Sequence, residues 1–564
     1  MTTHDEPPDL GPPPLRPYRA SLRRNLTFLA LALVALTVVV ATFWKKPALP
    51  GPEDFDPSSF TSPKFTDAVN KVDDAFAAAW QDAKLSPVAP APDLIIARRL
   101  SLALTGSIPS LEEIRALEAQ PEDERIQWWL TRLFEDRRYA DFIAERFARS
   151  VVGVENGPFL VYRRHRLVEW LADQFQNNRP YDDLVQSLIT SEGIWTNQPE
   201  VNFITVSVVQ NNPDKKGPDE AKLATRVSRA FLGARIDCME CHDDRFGDRW
   251  KQEDFHQLAA FFGTADMTLS GLREDPKQPY EYRYNGMRDT ERVPAKVPFQ
   301  PELLPKTGTP RERLASWVTH PDNRAFARAA VNRTWAILFN KPLITPVDDI
   351  PLEGPWPPAL EILADDFIAH DFDLQHLIRT IAATQVFQLD SRSADPEQPV
   401  TTEQTHHWAA FPLTRLRPEQ VAGSIIQASS LNTLDDDAHV IRQIARFFQQ
   451  NDFIKRFGDQ GEDEFEDRGG TIPQRLLMMN GELVSEKTKN NIVLNAATRI
   501  ATLAPDDLTA IKSTYLAALS RLPSPPEESH FLESLKDRKG KARIAALNDL
   551  FWTLMNATEF SWNH

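Results

Sequence analysis

Through most of this 564-residue chain apolar residues recur at the spacing of one helix face, which limits it to architectures built by packing helices. Ala68, Val69, Val72, Phe76 and Trp80 make one such stripe, and Leu167, Trp170, Leu171 and Phe175 make another. Glycine supplies only 21 residues, too few for the turn density of a β-sandwich or propeller. The best strand candidate, 201–209 (VNFITVSVV), is short. The expected fold class is mostly α, with an N-terminal transmembrane anchor followed by two predominantly helical domains.

The anchor is expected at 26–44, nineteen uncharged and largely apolar residues that would span about 28 Å as a helix. Arg16, Arg19, Arg23 and Arg24 precede this run, Lys45 and Lys46 follow it, and Trp44 stands at its edge. The excess of positive charge before the run assigns 1–25 to a cytoplasmic tail and the remainder to an exported ectodomain. A cleaved signal peptide is the competing reading, but the run is long for one and no small-x-small site follows it. The expected location is the cell inner membrane, single-pass, with the ectodomain periplasmic. Net charge is −16; residues 1–46 carry six basic and three acidic groups, so the ectodomain stands at −19. That balance argues against nucleic acid as a partner.

Four segments follow the anchor. Residues 45–65 read as a Pro-rich linker and 66–267 as a helical domain. Residues 268–310 form a connector in which Pro276, Pro279, Pro294, Pro298, Pro301, Pro305 and Pro310 forbid a continuous helix. Helical periodicity resumes over 311–564. The acidic run 459–470 (DQGEDEFEDRGG) lacks a calcium-loop pattern and reads as a solvated loop. A faint internal echo links Leu102–Glu113 with Leu516–Glu527: each stops a helix before a Pro-Ser pair whose serine can cap the next. Two copies are too few to define a repeat.

The chain's only cysteines stand together as Cys238-Met239-Glu240-Cys241-His242. This is the spacing of covalent c-type haem attachment: two thiols reach the two vinyl groups of one haem, and the following histidine becomes the proximal iron ligand. Three other readings stand beside it. They are a redox dithiol, a zinc site drawing on His242 and His256, and a motif that binds nothing. Met287, Met267 and His256 are the candidates for a distal haem ligand, and an open iron is the alternative.

Several further segments carry a resemblance. They are Ala97-Arg98-Arg99-Leu100 with Pro109-Ser110, Asn178-Arg179-Pro180-Tyr181-Asp182, Cys238 to Phe246, and Trp250 to Phe255. Together they resemble the planctomycete cytochrome-like domain of unknown function. Arg313-Leu314-Ala315, His320-Pro321-Asp322-Asn323, Asn332-Arg333 with Trp335, Thr345-Pro346 with Asp348-Asp349, and Leu477–Asn480 resemble the planctomycete-specific domain that commonly follows it. The resemblance implies a bacterial envelope protein with haem c bound at Cys238, Cys241 and His242, and no established activity. Where that family usually shows His-Asp-His after the second cysteine, this chain has His242-Asp243-Asp244.

In the second half, Asn332, Arg333, Asp348 and Asp349 are expected to tie a helix to a loop through a buried Arg–Asp pair. No nucleophile-elbow, zinc-protease, P-loop or dinucleotide motif occurs, so whether the chain is an enzyme stays open. The expected function is redox or electron transfer with a redox partner protein. The alternative is a non-catalytic envelope scaffold or interaction protein in which CxxCH binds zinc or nothing. A haem enzyme such as a peroxidase is a weaker third reading.

Overall fold

The first apolar stripe folds as the Pro63–Asp82 helix, whose start is capped by the Ser62 hydroxyl accepting from the Phe65 amide. This is seen in a computed structural model that describes residues 25–33, 51–52, 55–154, 161–208, 217–244, 250–284, 287–395, 397–434, 453, 456–457, 465, 471–491 and 495–564. The helix buries Phe65, Val69, Val72, Phe76 and Trp80, so the periodicity reads its core face correctly. Phe76 stacks on Trp335, which stacks in turn on Phe339. Residues from both halves of the sequence therefore meet in one aromatic core.

At the centre lies the Asp93–Thr105 helix, buried from Ile95 to Thr105. One side gives Leu100 and Leu104 to a core running from Phe60 to Phe411. Leu102 and Ile108 join a second core built by the C-terminal helices. Two arginines are buried here. Arg98 donates to the carbonyls of Ala518 and Phe560. Arg99 donates to those of Phe387, Leu389 and His564, with its guanidinium 3.6 Å above the Phe411 ring. The Arg98-Arg99 pair thus crosslinks helix ends and loops hundreds of residues apart, and Gly51–His564 forms one compact unit. The described strands are short, paired two by two and antiparallel.

Several expectations are corrected. An N-terminal transmembrane anchor is not supported, because no helix among the described residues is long and apolar enough to cross a membrane. The helix described at 25–33 has nine residues. The rest of the expected span, 34–44, lies outside the described residues.

The supposed linker 45–65 is docked at its end, where Phe60 and Phe65 are buried edge to face. Of the strand candidate 201–209, residues 201–205 fold instead as two short helical turns, Pro199–Val201 and Asn202–Thr205, Val208 makes an isolated bridge with Pro218, and residue 209 lies outside the described residues. Asn202 decides this: its side-chain amide donates to the Trp195 and Pro199 carbonyls and its oxygen accepts from Arg163 N. A short apolar run buried on all sides cannot be told from a strand by its pattern.

The described residues of the Pro-rich stretch 268–310 form one 3₁₀ turn, Pro301–Leu303, and no α-helix before Pro310, and two hairpins are built in and beside it. Ala265–Thr268 pairs with Gly271–Glu274, and Glu281–Tyr282 pairs with Glu291–Arg292. Gly271, at φ +99°, is required because a Cβ there would lie 2.1 Å from the Gly193 carbonyl oxygen. Of the acidic run 459–470 all but Phe465 lies outside the described residues.

Candidate cofactor site

A single turn of 3₁₀ helix, Asp237–Glu240, carries Cys238, and Cys241 closes it. Three residues per turn bring positions 238 and 241 to the same side. Met239 points into the core while both cysteines are exposed and form no disulfide. The turn is pinned through one atom. The Glu240 carbonyl faces Gln252 Nε2 at 3.0 Å, His256 Nε2 at 3.1 Å and the Tyr282 hydroxyl at 3.3 Å. Gln252 N donates to Asp243 Oδ1, and Asp244 N to the Trp250 carbonyl. The Gln252–Ala259 helix and the second hairpin together hold the motif in place.

His242 Nδ1 lies 2.7 Å from the Asp243 carbonyl oxygen. A carbonyl only accepts, so the proton sits on Nδ1 and the Nε2 lone pair is directed away from that bond. This is the tautomer that an axial imidazole needs. His256 is arranged differently. Its Nε2–H donates to Glu240, leaving Nδ1 to accept from the Tyr280 hydroxyl at 2.8 Å. Burial lowers its pKa, against a smaller opposing effect of the Glu240 carbonyl, which keeps the ring neutral. Tyr282 stacks on it with 3.4 Å between ring centroids. The Tyr282 phenol is raised by burial first and then by the neighbouring Cys241 and Glu240, and burial with nearby carboxylates pushes Tyr284 up to about 12.

The structure brings Cys238, Cys241 and His242 onto one braced turn. It packs His256 behind them with both nitrogens engaged. Met267 pairs across its hairpin with Leu272 and packs on the core. Met287 lies between the strands of the second hairpin and is 49% exposed.

The second half contributes differently from expectation. Asp348 is buried and pairs with Arg229 and Arg235 of the first half, at 2.6 and 2.7 Å. Burial would raise its carboxyl, yet the hydrogen bonds and charges of Arg235 and Arg229 outweigh this and hold it below the usual range. Asn332 ties its helix to the loop by donating to the Ile344 and Val347 carbonyls and accepting from Ile344 N. Arg333 lines a cavity of about 460 Å³ that Asp237 and Glu240 also border. Sequence reasoning missed this cavity. Its signal was Lys222, Arg226 and Arg229, spaced i, i+4, i+7 along one face of the Glu220–Leu232 helix.

A second group also went unnoticed. The Asp366 carboxylate accepts from His376 Nε2 at 2.8 Å and lies 3.1 Å from His370 Nδ1, with the two imidazoles stacked at 3.8 Å. These are three potential metal donors. His370 Nδ1 also lies 2.9 Å from the Asp366 carbonyl, four residues back, so hydrogen bonding alone accounts for the arrangement.

Fold and site together define a helix-rich, two-segment protein that carries an exposed Cys-x-x-Cys-His turn in its first segment. Residues 71–267 match the PSCyt2 family, described as a protein of unknown function (DUF1549). Residues 310–535 match the PSD1 family, likewise a protein of unknown function (DUF1553), so the chain carries the two matches in that order. No curated protein matches it, and no solved structure does.

Proposed function

We propose that the Cys238–His242 turn holds a covalently attached c-type haem and that the protein works in redox or electron transfer. The observation that carries this reading is the donor set itself. Two thiols outside any disulfide are exposed on one side of a 3₁₀ turn, and the next residue is a histidine whose Nδ1 is occupied by a backbone carbonyl and whose Nε2 meets no hydrogen-bond partner among the described residues. Those residues fit the group: Cys238 and Cys241 would form the thioethers and His242 would be the proximal ligand. When bound, haem would supply one-electron chemistry.

The chain's own residues do the positioning. Gln252, His256 and Tyr282 converge on the Glu240 carbonyl and fix the separation of the two thiols, and Asp243 orients the imidazole. With His256 engaged on both sides, Met287 and Met267 remain as distal candidates beside an open position. The reading places the protein in an extracytoplasmic compartment, where thioether attachment is made. An acidic surface, at −16 for the whole chain, favours a basic redox partner.

The test is expression with a cytochrome c maturation system, followed by haem staining of a denaturing gel and the pyridine haemochrome spectrum. A stained band at full length is expected, lost in Cys238→Ala and Cys241→Ala. An unstained band of intact wild-type protein would overturn the proposal.

A further inference from the structure

The Pro358–Ala369 and Leu374–Ala383 helices are joined by a tight reversal at 370–373. Asp371 and Phe372 take left-handed backbone there, at φ +51° and +54°. The Phe372 ring is buried edge-on against Phe326 and Phe367, which holds the reversal in place. The first segment docks on it, with Tyr181 N donating to the Phe372 carbonyl and Asn178 Nδ2 to Asp373 Oδ1. The reversal carries His376 back beside Asp366 and His370. The Asp366 side chain is 9% exposed and that of His370 29%, so the group is closed behind the carboxylate and reached by solvent from the His370 side.

We propose that Asp366, His370 and His376 bind one divalent transition-metal ion of the zinc class, through a carboxylate oxygen, His370 Nδ1 and His376 Nε2, with solvent in the remaining position. Two imidazoles and a carboxylate are donors that such an ion favours, and one donor atom of each residue lies within 4.8 Å of the others. With ligand bonds of about 2.1 Å, a tetrahedral ion sets its donors about 3.4 Å apart. The Asp366 oxygens lie 2.8 Å from His376 Nε2 and 3.1 Å from His370 Nδ1, so the carboxylate has to withdraw by only about half an ångström. Hydrogen bonds hold these same atoms together without the ion, so the donors are positioned before it arrives. On binding, each neutral imidazole moves its proton to its other nitrogen, His370 Nε2 or His376 Nδ1, neither of which is hydrogen-bonded among the described residues. The Asp366 carbonyl gives up His370 Nδ1 but keeps the His370 amide at 3.1 Å. Phe65 packs edge-on against the His376 ring. The neighbouring charges, Lys71 and Asp365, are already paired with Asp67 and Arg324. The ion would tie together the two helices whose reversal carries the contact with the first segment.

The inference does not rest on haem, and its test uses the full chain with Cys238→Ala and Cys241→Ala, so that the cysteine turn supplies no ligand. The protein is titrated calorimetrically with Zn²⁺, and Co²⁺ serves as the spectroscopic probe. One equivalent of Zn²⁺ is expected to bind and to raise the thermal unfolding midpoint, and one equivalent of Co²⁺ to develop the visible absorption of a four- or five-coordinate site. Asp366→Asn, His370→Gln and His376→Gln should each weaken binding at least tenfold. His530→Gln, at an exposed histidine outside the group, should leave it unchanged. Should Asp366→Asn fail to fold, His370→Gln at its half-buried position supplies the same reading. The absence of saturable Zn²⁺ binding at millimolar concentration, or binding undiminished in folded His370→Gln or His376→Gln protein, would overturn the proposal.

Discussion

Arg521 shows how single charges are spent in this protein. It pairs at 2.9 Å with Glu527 and at 2.6 Å with Glu559, and its ring of donors also reaches the Leu522 carbonyl. The Arg521 hydrogen bonds, opposed by partial burial and helped by Ser524, hold Glu527 at about 2. Burial raises Glu559, but hydrogen bonds from Arg521 and His564 prevail and hold it well below its usual range. A carboxylate depressed in the folded state contributes stability above its unfolded pKa and loses it as pH falls toward the folded value. For Glu527 that window runs from 4.5 down to about 2. Denaturant titrations of wild type and Glu527→Gln should therefore differ most at pH 7 and converge between pH 4 and 2. A constant gap across that range would show that Glu527 is not depressed.

At the scale of elements, the echo noted in the sequence becomes a shared local architecture. The Asp93–Thr105 and Asp507–Leu519 helices each end at a residue with positive φ, Gly106 and Ser520. Each is followed by a capping box, Ser110 with Glu113 and Ser524 with Glu527. Each capping glutamate also meets an arginine, Arg138 in the first copy and Arg521 in the second. The copies differ in burial, since the Glu113 side chain is 1% exposed. Removing it in Glu113→Ala strips the cap and leaves Arg138 buried with Asp136 as its remaining carboxylate. A loss of about 3–5 kcal/mol is expected in chemical denaturation. Ser524→Ala, at the exposed copy, should cost only about 1 kcal/mol.

The same scale explains where local pattern failed. Residues 201–207 are all buried, so their apolar run carried no period, and the polar atoms of Asn202 chose the helical turn. The Lys222, Arg226 and Arg229 stripe did carry a period. Its meaning depended on Arg333 and Asp348, more than a hundred residues away, which no local pattern supplies.

For the molecule as a whole, the core running from Phe60 to Phe411 ignores the boundary between the two family segments. Tyr181 stacks on Phe326, Phe76 on Trp335, and Arg99 reaches the last residue, His564. Gly51–His564 should accordingly unfold in one cooperative transition by near- and far-ultraviolet circular dichroism. A fragment ending at residue 308 loses the partners of these rings and exposes an apolar face, so it should lack near-ultraviolet ellipticity and bind a hydrophobic dye. A natively folded fragment would show that the segments are independent after all.

The sequence by itself determined the helical class, the buried faces of its longer helices, the caps and the Cys238–His242 motif. These depend on residues within a turn or two of each other, where spacing alone sets which side chains share a face. Tertiary structure decided the rest. It gave His256 to the Glu240 carbonyl, Asp348 to Arg229 and Arg235, and Arg98 and Arg99 to distant carbonyls, because hydrogen bonds and charges are satisfied by whichever groups the fold brings within about 3 Å.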